Sequence, residues 1–293
     1  MHNIVYTGDY KFAKTTLLEP AVTEFPRVET IITESTYGAL QDIMPSRIEA
    51  EEKLASLINS TLDRRGKVLI PVPAVGRAQE IMLIIDGYMR RGMIKEAPVF
   101  IEGMISEATA IHTAFPEYLA REVRNSILHE GINPFQSDYF TKVEHPSARD
   151  EIIEGEPCIV MATAGMLEGG PIIEYFKRLA SDDRNTIIFV SYQIEGTLGR
   201  RIQKGLSEAP VMTAEGKIEL VKVALRIDSI EGFSGHSDRK QIVAYIQRLT
   251  QRPEKLIVCH GEKAKSISIA NLFQRKYKVD AIVPSPLETI RLR

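Results

Sequence analysis

Apolar residues along this chain come in short runs rather than long stripes. Stretches rich in Val, Ile, Thr and aromatic residues recur at 2–6, 28–33, 67–72, 98–101, 158–162, 186–190, 217–226, 255–259, 279–283 and 288–292. Most are bounded by Gly, Pro, Asn or Asp, which predicts strands. Between them apolar residues return at three- and four-residue spacing over 45–64, 77–91, 106–112, 116–124, 171–179, 238–249 and 263–277, which predicts helices. The alternation argues for an α/β architecture. Pro45 and Pro171 suit first helical turns, and Ser237 ahead of Asp238 suits an N-cap. The stretch 129–150 has little periodicity and two prolines, and reads as a long loop carrying a short strand.

At 293 residues the chain is long enough for two domains. No internal repeat and no low-complexity linker separates them, so one domain is expected to be inserted in the other. The 44% hydrophobic and 26% charged content can fill a core and excludes disordered, collagenous and coiled-coil classes. Thirty-seven Lys plus Arg against 39 Asp plus Glu gives a net charge of −2, so any nucleic-acid surface is local. Cys158 and Cys259 both sit in apolar runs and make no disulfide framework, which points to a reducing, cytoplasmic setting. The first residues, MHNIVYTGDYKF, have neither a basic leader nor an apolar segment, and no membrane association is expected.

Phosphate-loop and dinucleotide readings lack their motifs, because neither GxxxxGK[ST] nor GxGxxG after a strand occurs. The run Gly232-Phe233-Ser234-Gly235-His236 fails GxSxG at its fifth position, so a nucleophile elbow is unsupported. Histidine and carboxylate chemistry remains. His2, His112, His129 and His145 lie in strand-start, helical or loop contexts without an evident partner and read as surface or ordinary structural residues. His236 in EGFSGHSD and His260 in LIVCHGE each follow an apolar strand, where a strand end presents side chains to a shared cleft. Taken alone, each is also read as a turn histidine. Asp9 ends HNIVYTGD and Glu34 ends VETIITE, which puts four polar groups at four strand ends. Zinc sites are built from such His and Asp donors, and a carboxylate behind a histidine fixes its tautomer.

TGDYK at 7–11, ESTYG at 34–38, FSGHSD at 233–238 and CHGE at 259–262 resemble, in order and spacing, the later motifs of β-CASP metallo-β-lactamase ribonucleases. The strongest likeness is to the archaeal relatives of the cleavage and polyadenylation specificity factor endonuclease, regarded as transcription termination factors. IPVPAVGRAQE at 70–80, MATAGMLEGGP at 161–171 and the terminal SPLETIRLR agree with it. The fold this implies is a partial metallo-β-lactamase αββα sandwich, at 1–38 and 235–293, with an inserted Rossmann-like β-CASP domain at 39–234. By the same resemblance Asp9 is the carboxylate bridging two zinc ions and His260 a terminal ligand of one of them. Glu34 is the acid that orients His236, and His236 contacts the scissile phosphate and acts as general acid. The implied reaction is attack by a metal-bridging hydroxide on an RNA phosphodiester, in mRNA 3′-end processing or transcription termination.

The family's HxHxDH signature occurs nowhere in the 293 residues. The chain is therefore expected to be the C-terminal part of a longer enzyme, to expose apolar faces of the halved sandwich, and to be inactive alone, since a catalytic zinc takes at least three protein ligands. Arg77 at a helix start, and Arg200 and Arg201 after Gly196-Thr197-Leu198-Gly199, are candidates to hold RNA phosphates or are solvated arginines on helix faces. Gly165, Gly169 and Gly170 belong either to a backbone amide nest for phosphate or to an ordinary strand-to-helix turn. Two function classes stay open at this point: a zinc-dependent endonuclease, with 5′–3′ exonuclease action as a further possibility, or a non-catalytic RNA-binding or dimerising module of the same family. RNA, the transcription machinery and a second copy, met through 279–293, are the expected partners.

Overall fold

A computed structural model of the chain describes residues 2–212 and 216–292. In chain order the elements are β1 (Ile4–Tyr6), β2 (Thr30–Glu34), α1 (Arg47–Asp63), β3 (Val68–Pro71), α2 (Arg77–Arg90), β4 (Val99–Glu102), α3 (Ile105–Ala114), α4 (Arg121–Leu128), β5 (Phe140–Lys142), α5 (Ala148–Glu154) and β6 (Ile159–Ala162). They continue with α6 (Pro171–Leu179), β7 (Thr186–Phe189), α7 (Leu198–Gln203), β8 (Glu208–Met212), β9 (Ile218–Lys222), β10 (Arg226–Ser229), α8 (Arg239–Arg248), β11 (Lys255–Cys259), α9 (Lys263–Leu272) and β12 (Asp280–Ile282). A π-helical segment, Phe273–Tyr277, extends α9. The chain divides into two compact units, one formed by 1–14, 19–44 and 235–293 and the other by 15–18 and 45–234.

The larger unit is built on a six-stranded sheet, order β10-β7-β3-β6-β4-β5, with every neighbour parallel. Strands β3, β6 and β7 read VLIP, IVMA and TIIF and are buried at every position, as expected of parallel strands covered on both faces. Leu54, Ile58, Ile81 and Ile85 from α1 and α2 close on Ile70 and Met161 in one core. Ile172, Tyr175 and Phe176 of α6 and Ile202 of α7 close on Leu69 and Val160 in another. The short strap 15–18 belongs to this unit because the buried Glu80 carboxylate accepts from Thr16 N (2.8 Å) and Leu17 N (2.7 Å), and Leu17 enters the first core.

The smaller unit carries a parallel sheet of order β1-β2-β11-β12. Ile242, Tyr245, Ile246, Ile269 and Phe273 pack on Ile31, Leu256, Val258 and Ala281, so α8 and α9 cover one face. Edge strand β1 leaves Ile4 and Tyr6 exposed.

Several local expectations are corrected. The run 217–226 is two strands, because Ala224 N and Leu225 N turn away to donate to Ala180 O, 2.8 and 2.9 Å. The run 116–124 is a single 3-10 turn (Pro116–Tyr118) followed by α4, broken where Ala120 N donates to Leu17 O. The run 288–292 forms no strand; Ser285 N donates to Glu288 Oε2 and Lys255 Nζ to Arg291 O. The cap of α8 is Asp238, which accepts from Gln241 N, while the Ser237 hydroxyl accepts from Phe12 N and donates to Tyr10 O. Likewise Ser46, with Glu49 completing a capping box, starts α1, and Pro45 lies just ahead of it. Strand β8 and helices α5 and α7 carried no clear signal, the helices being seven and six residues long.

Candidate functional site

The smaller unit gathers its polar groups where its parallel strands end. Glu34 is the last residue of β2, and His260 follows directly on β11. Asp9 follows β1 through a turn in which Thr7 N donates to Ile32 O and Gly8 takes φ +57°. His236 stands in the loop before α8, and its carbonyl accepts from Lys11 Nζ at 3.1 Å. The parallel strands bring Asp9, Glu34 and His260 to one end of the sheet. His236 departs from the expected strand end, because the strand before it, β10, stops at Ser229 and belongs to the other sheet, and it joins the group from the loop that leads into α8. One donor atom from each of Asp9, Glu34, His236 and His260 lies within 4.8 Å of the others, the only such group found among the described residues.

Within the cluster the four side chains have different situations. Glu34 is 1% exposed and satisfied on both oxygens: Oε1 accepts from Tyr10 N (2.9 Å), and Oε2 from Thr36 Oγ1 (2.7 Å) and His236 Nδ1 (2.6 Å). Burial pushes its carboxyl pKa up, but hydrogen bonds from His236, Thr36 and Tyr10 outweigh it and hold the pKa below the ordinary value. Hydrogen bonding to Glu34 raises the His236 pKa above its usual value, against the opposite pull of partial burial. Asp9 and His260 are open to solvent and face each other, Oδ1 to Nδ1 2.8 Å. The two imidazole rings stack at 5.9 Å.

The His260 backbone sits at φ +46°, and Gly261 lies so close to Ser35 that a Cβ there would meet its carbonyl oxygen at 2.5 Å. The CHGE turn thus needs its glycine to bring His260 to the mouth of the cluster. Thr36 was not singled out from sequence, yet its hydroxyl lies 3.3 Å from His236 Nδ1 and 3.4 Å from His260 Nδ1. It lies inside the ESTYG motif, which was the available signal.

These residues fit zinc in kind, being nitrogen and oxygen donors. Asp9 and His260 are the side chains free to hold a metal, with His236 beside them; Glu34 is already committed to orienting His236. The remaining histidines lie outside the cluster. His2 Nε2 is 2.9 Å from Thr30 Oγ1 and His112 Nδ1 bonds Ala108 O within its own helix.

The candidate phosphate contacts belong to the larger unit and are described within it. Arg77 is the first residue of α2 and half-buried. Arg200 is tied to Glu195 (3.5 Å) and Gln203 (3.4 Å), whereas Arg201 lines a cavity of about 690 Å³ with Gly169, Gly170, Glu168 and Glu174. Gly165 is placed differently: its close neighbour is Pro73, which a Cβ would meet at 2.8 Å, and its carbonyl accepts from Gln193 Nε2.

Two domain families match this chain: a Beta-Casp domain over 78–202 and a Zn-dependent metallo-hydrolase RNA specificity domain over 220–284. The chain thus carries a Beta-Casp domain followed by a metallo-hydrolase RNA specificity domain. Its architecture is accordingly the metallo-β-lactamase type, mixed α/β with parallel sheets. It is 51% identical over 292 residues to the transcription termination factor FttA of Methanothermobacter thermautotrophicus, and 52% identical over 294 residues to that of Methanocaldococcus jannaschii. The FttA of Lokiarchaeum sp. is 50% identical over 292 residues. Each match takes in 100% of this chain and 46% of the relative, so the chain spans a little under half the length of these archaeal proteins. No helix among the described residues is long and apolar enough to cross a membrane.

Proposed function

We propose that this β-CASP chain forms part of a zinc-dependent ribonuclease that cleaves RNA phosphodiesters in 3′-end formation or transcription termination, in a cytoplasmic setting. The observation that carries this is the division of labour in the cluster: a buried acid locked to one histidine, and an open Asp–His pair beside it. Zinc bound there, as two ions in the complete site, supplies a hydroxide nucleophile at neutral pH and neutralises charge on the phosphate. Asp9 and His260 hold the metal side. Glu34 keeps the His236 proton on Nδ1 in the neutral ring and stabilises the charged ring, so His236 delivers its Nε2 proton to the leaving oxygen as the P–O bond breaks. Ligands beyond Asp9 and His260 come from outside this chain, in keeping with the absent HxHxDH signature.

Zinc analysis and an RNA cleavage assay on a form as long as the FttA relatives test the proposal, with this chain alone in parallel. The longer form should bind zinc and cleave; Asp9→Ala should abolish zinc uptake, and His236→Ala should keep the zinc while lowering cleavage by about 10²–10⁴-fold. Cleavage untouched by His236→Ala would overturn the assignment. This chain alone should bind zinc poorly and leave RNA intact. A homodimer contact through 279–293, of which the last residue lies outside the described ones, is part of the proposal, supported by the fully exposed Leu287 in that segment. Leu287→Asp should then convert a dimer to a monomer in light scattering.

A further inference from the structure

Charge is distributed very unevenly along this chain. Residues 235–293 hold 12 Lys plus Arg and 5 Asp plus Glu, a net +7, so the preceding 234 residues carry −9 of the overall −2. Within the smaller unit the excess collects where α8 and the π-helical end of α9 finish together. Arg248, Arg252, Arg275, Lys276 and Lys278 are all exposed there. Arg252 Nη1 donates to Tyr277 O at 3.3 Å, Lys276 Nζ lies 5.4 Å from the Tyr277 ring centre, and Arg248 lies over the Phe12 ring at 5.5 Å. Tyr277 and Arg252 line a hollow of about 190 Å³ with Phe273, Leu249 and Val279.

Cations at helix C-termini are ordinarily explained by the helix dipole, and the magnitude decides against that here. Two helix ends present about −0.5 charge each. With Glu254 nearby, the negative charge comes to about −2 against five cations, leaving a net of about +3. The neighbouring Asp280 is paired with Lys255, 3.4 Å, and none of the five basic groups forms an ion pair among the described residues.

We propose that this patch holds single-stranded RNA, with Arg252, Lys276 and Lys278 gripping phosphates and a base stacked at Tyr277. Flexible cations around a half-exposed aromatic ring are what a single strand needs: the backbone is tracked by charge, and any base offers a π-face to the ring. A duplex hides its bases and gains only the charge. The inference rests on RNA being the substrate and adds a second holding point, built from residues other than Asp9, Glu34, His236 and His260.

The test is fluorescence anisotropy of this chain with a labelled single-stranded RNA oligonucleotide across a salt series, with melting temperature as the control for folding. In the Arg252→Gln/Lys276→Gln/Lys278→Gln variant the slope of log K against log salt should fall by about 2, close to 0.7 for each phosphate no longer neutralised. Lys276→Gln and Lys278→Gln, each at an exposed site, should lower it singly by about 0.7 if the triple variant does not fold. Tyr277→Leu should weaken single-stranded binding about tenfold or more while leaving duplex RNA binding unchanged, and Tyr277→Phe should restore it. An unchanged slope overturns the proposal. So does an equal drop in affinity for a polyglutamate peptide, which would make the patch a dock for an acidic protein. Failure of the zinc site would show instead as absent metal uptake by the longer form, with the RNA binding of this chain intact.

Discussion

His236 Nδ1 lies 2.6 Å from Glu34 Oε2, across 202 residues of sequence. An ionised carboxylate only accepts, so the neutral imidazole carries its proton on Nδ1 and leaves Nε2 as the working atom. Every other contact of Glu34 comes from a donor as well, which leaves the carboxylate no better option than to hold this ring.

That contact sets a pH window for stability. His236 is raised above 6.5 by its bond to Glu34, so its contribution is complete below 6.5 and is lost as pH rises through the folded value. Glu34 is pushed up by burial but held below 4.5 by its hydrogen bonds, so its contribution is complete above 4.5 and is lost as pH falls through the folded value. The pair should therefore stabilise most between 4.5 and 6.5. NMR titration of the His236 ring should show a pKa above 6.5 that returns toward it in Glu34→Gln. A wild-type His236 titrating below 6.5 would contradict the geometry.

Gly261 should tolerate no side chain. An added Cβ would meet Ser35 O and Oγ, both at 2.5 Å; the first is backbone, and the second is held by hydrogen bonds to Cys259 O and Ser266 Oγ. Gly261→Ala is expected to cost about 1–3 kcal/mol, typical of overpacking, and to displace His260 from Asp9. Urea denaturation measures the first effect and zinc affinity of the longer form the second; an alanine variant of wild-type stability would mean the turn can shift freely.

In the larger unit, Arg149 donates to both oxygens of Glu102, which also accepts from Tyr175 Oη at 2.7 Å. Glu102 is buried, so removing its cation leaves a charge with one neutral partner. Arg149→Ala should destabilise the chain by about 3–5 kcal/mol, whereas Tyr175→Phe should cost about 1–3 kcal/mol. Equal losses in denaturant titrations would show that the ion pair adds nothing beyond a neutral hydrogen bond.

Strands such as β3 and β7 were legible because both faces are buried and the apolar run is unbroken. Glu34 and His260 were legible because each ends an apolar run, Asp9 because it follows one within the TGD turn, and His236 through its FSGHSD motif alone, since no strand ends there. What the sequence hid is of another kind. Tyr10 N and Thr36 Oγ1 complete the Glu34 site, but a backbone donor has no residue signature and Thr36 has many plainer readings. Strand β8 was obscured by Pro210, which is tolerated because that strand pairs only with β9. The exchange of roles between Ser237 and Asp238 is decided by where Tyr10 and Phe12 lie, a tertiary fact. The strap 15–18 has no pattern of its own at all.

That strap gives the sharpest stability test in the larger unit. Glu80 is 4% exposed and accepts from two consecutive backbone N–H groups, Thr16 at 2.8 Å and Leu17 at 2.7 Å, while the Leu17 side chain, 2% exposed, is buried in the core beside α2. The carboxylate thus supplies the acceptors that these two adjacent N–H groups need. Glu80→Gln keeps one carbonyl oxygen for two donors and turns an amide NH₂ toward the other, so one buried donor is left without a partner, at about 1–3 kcal/mol. Leu17→Ala removes the apolar anchor instead and should cost about 2–5 kcal/mol. Because both act on one strap, their effects should fall short of additive in the double variant: once the strap has lifted, the second change has little left to remove. Denaturant titrations of the four proteins in the cycle measure this. Full additivity would mean that Glu80 and Leu17 hold the strap independently, and that its release is not a single event.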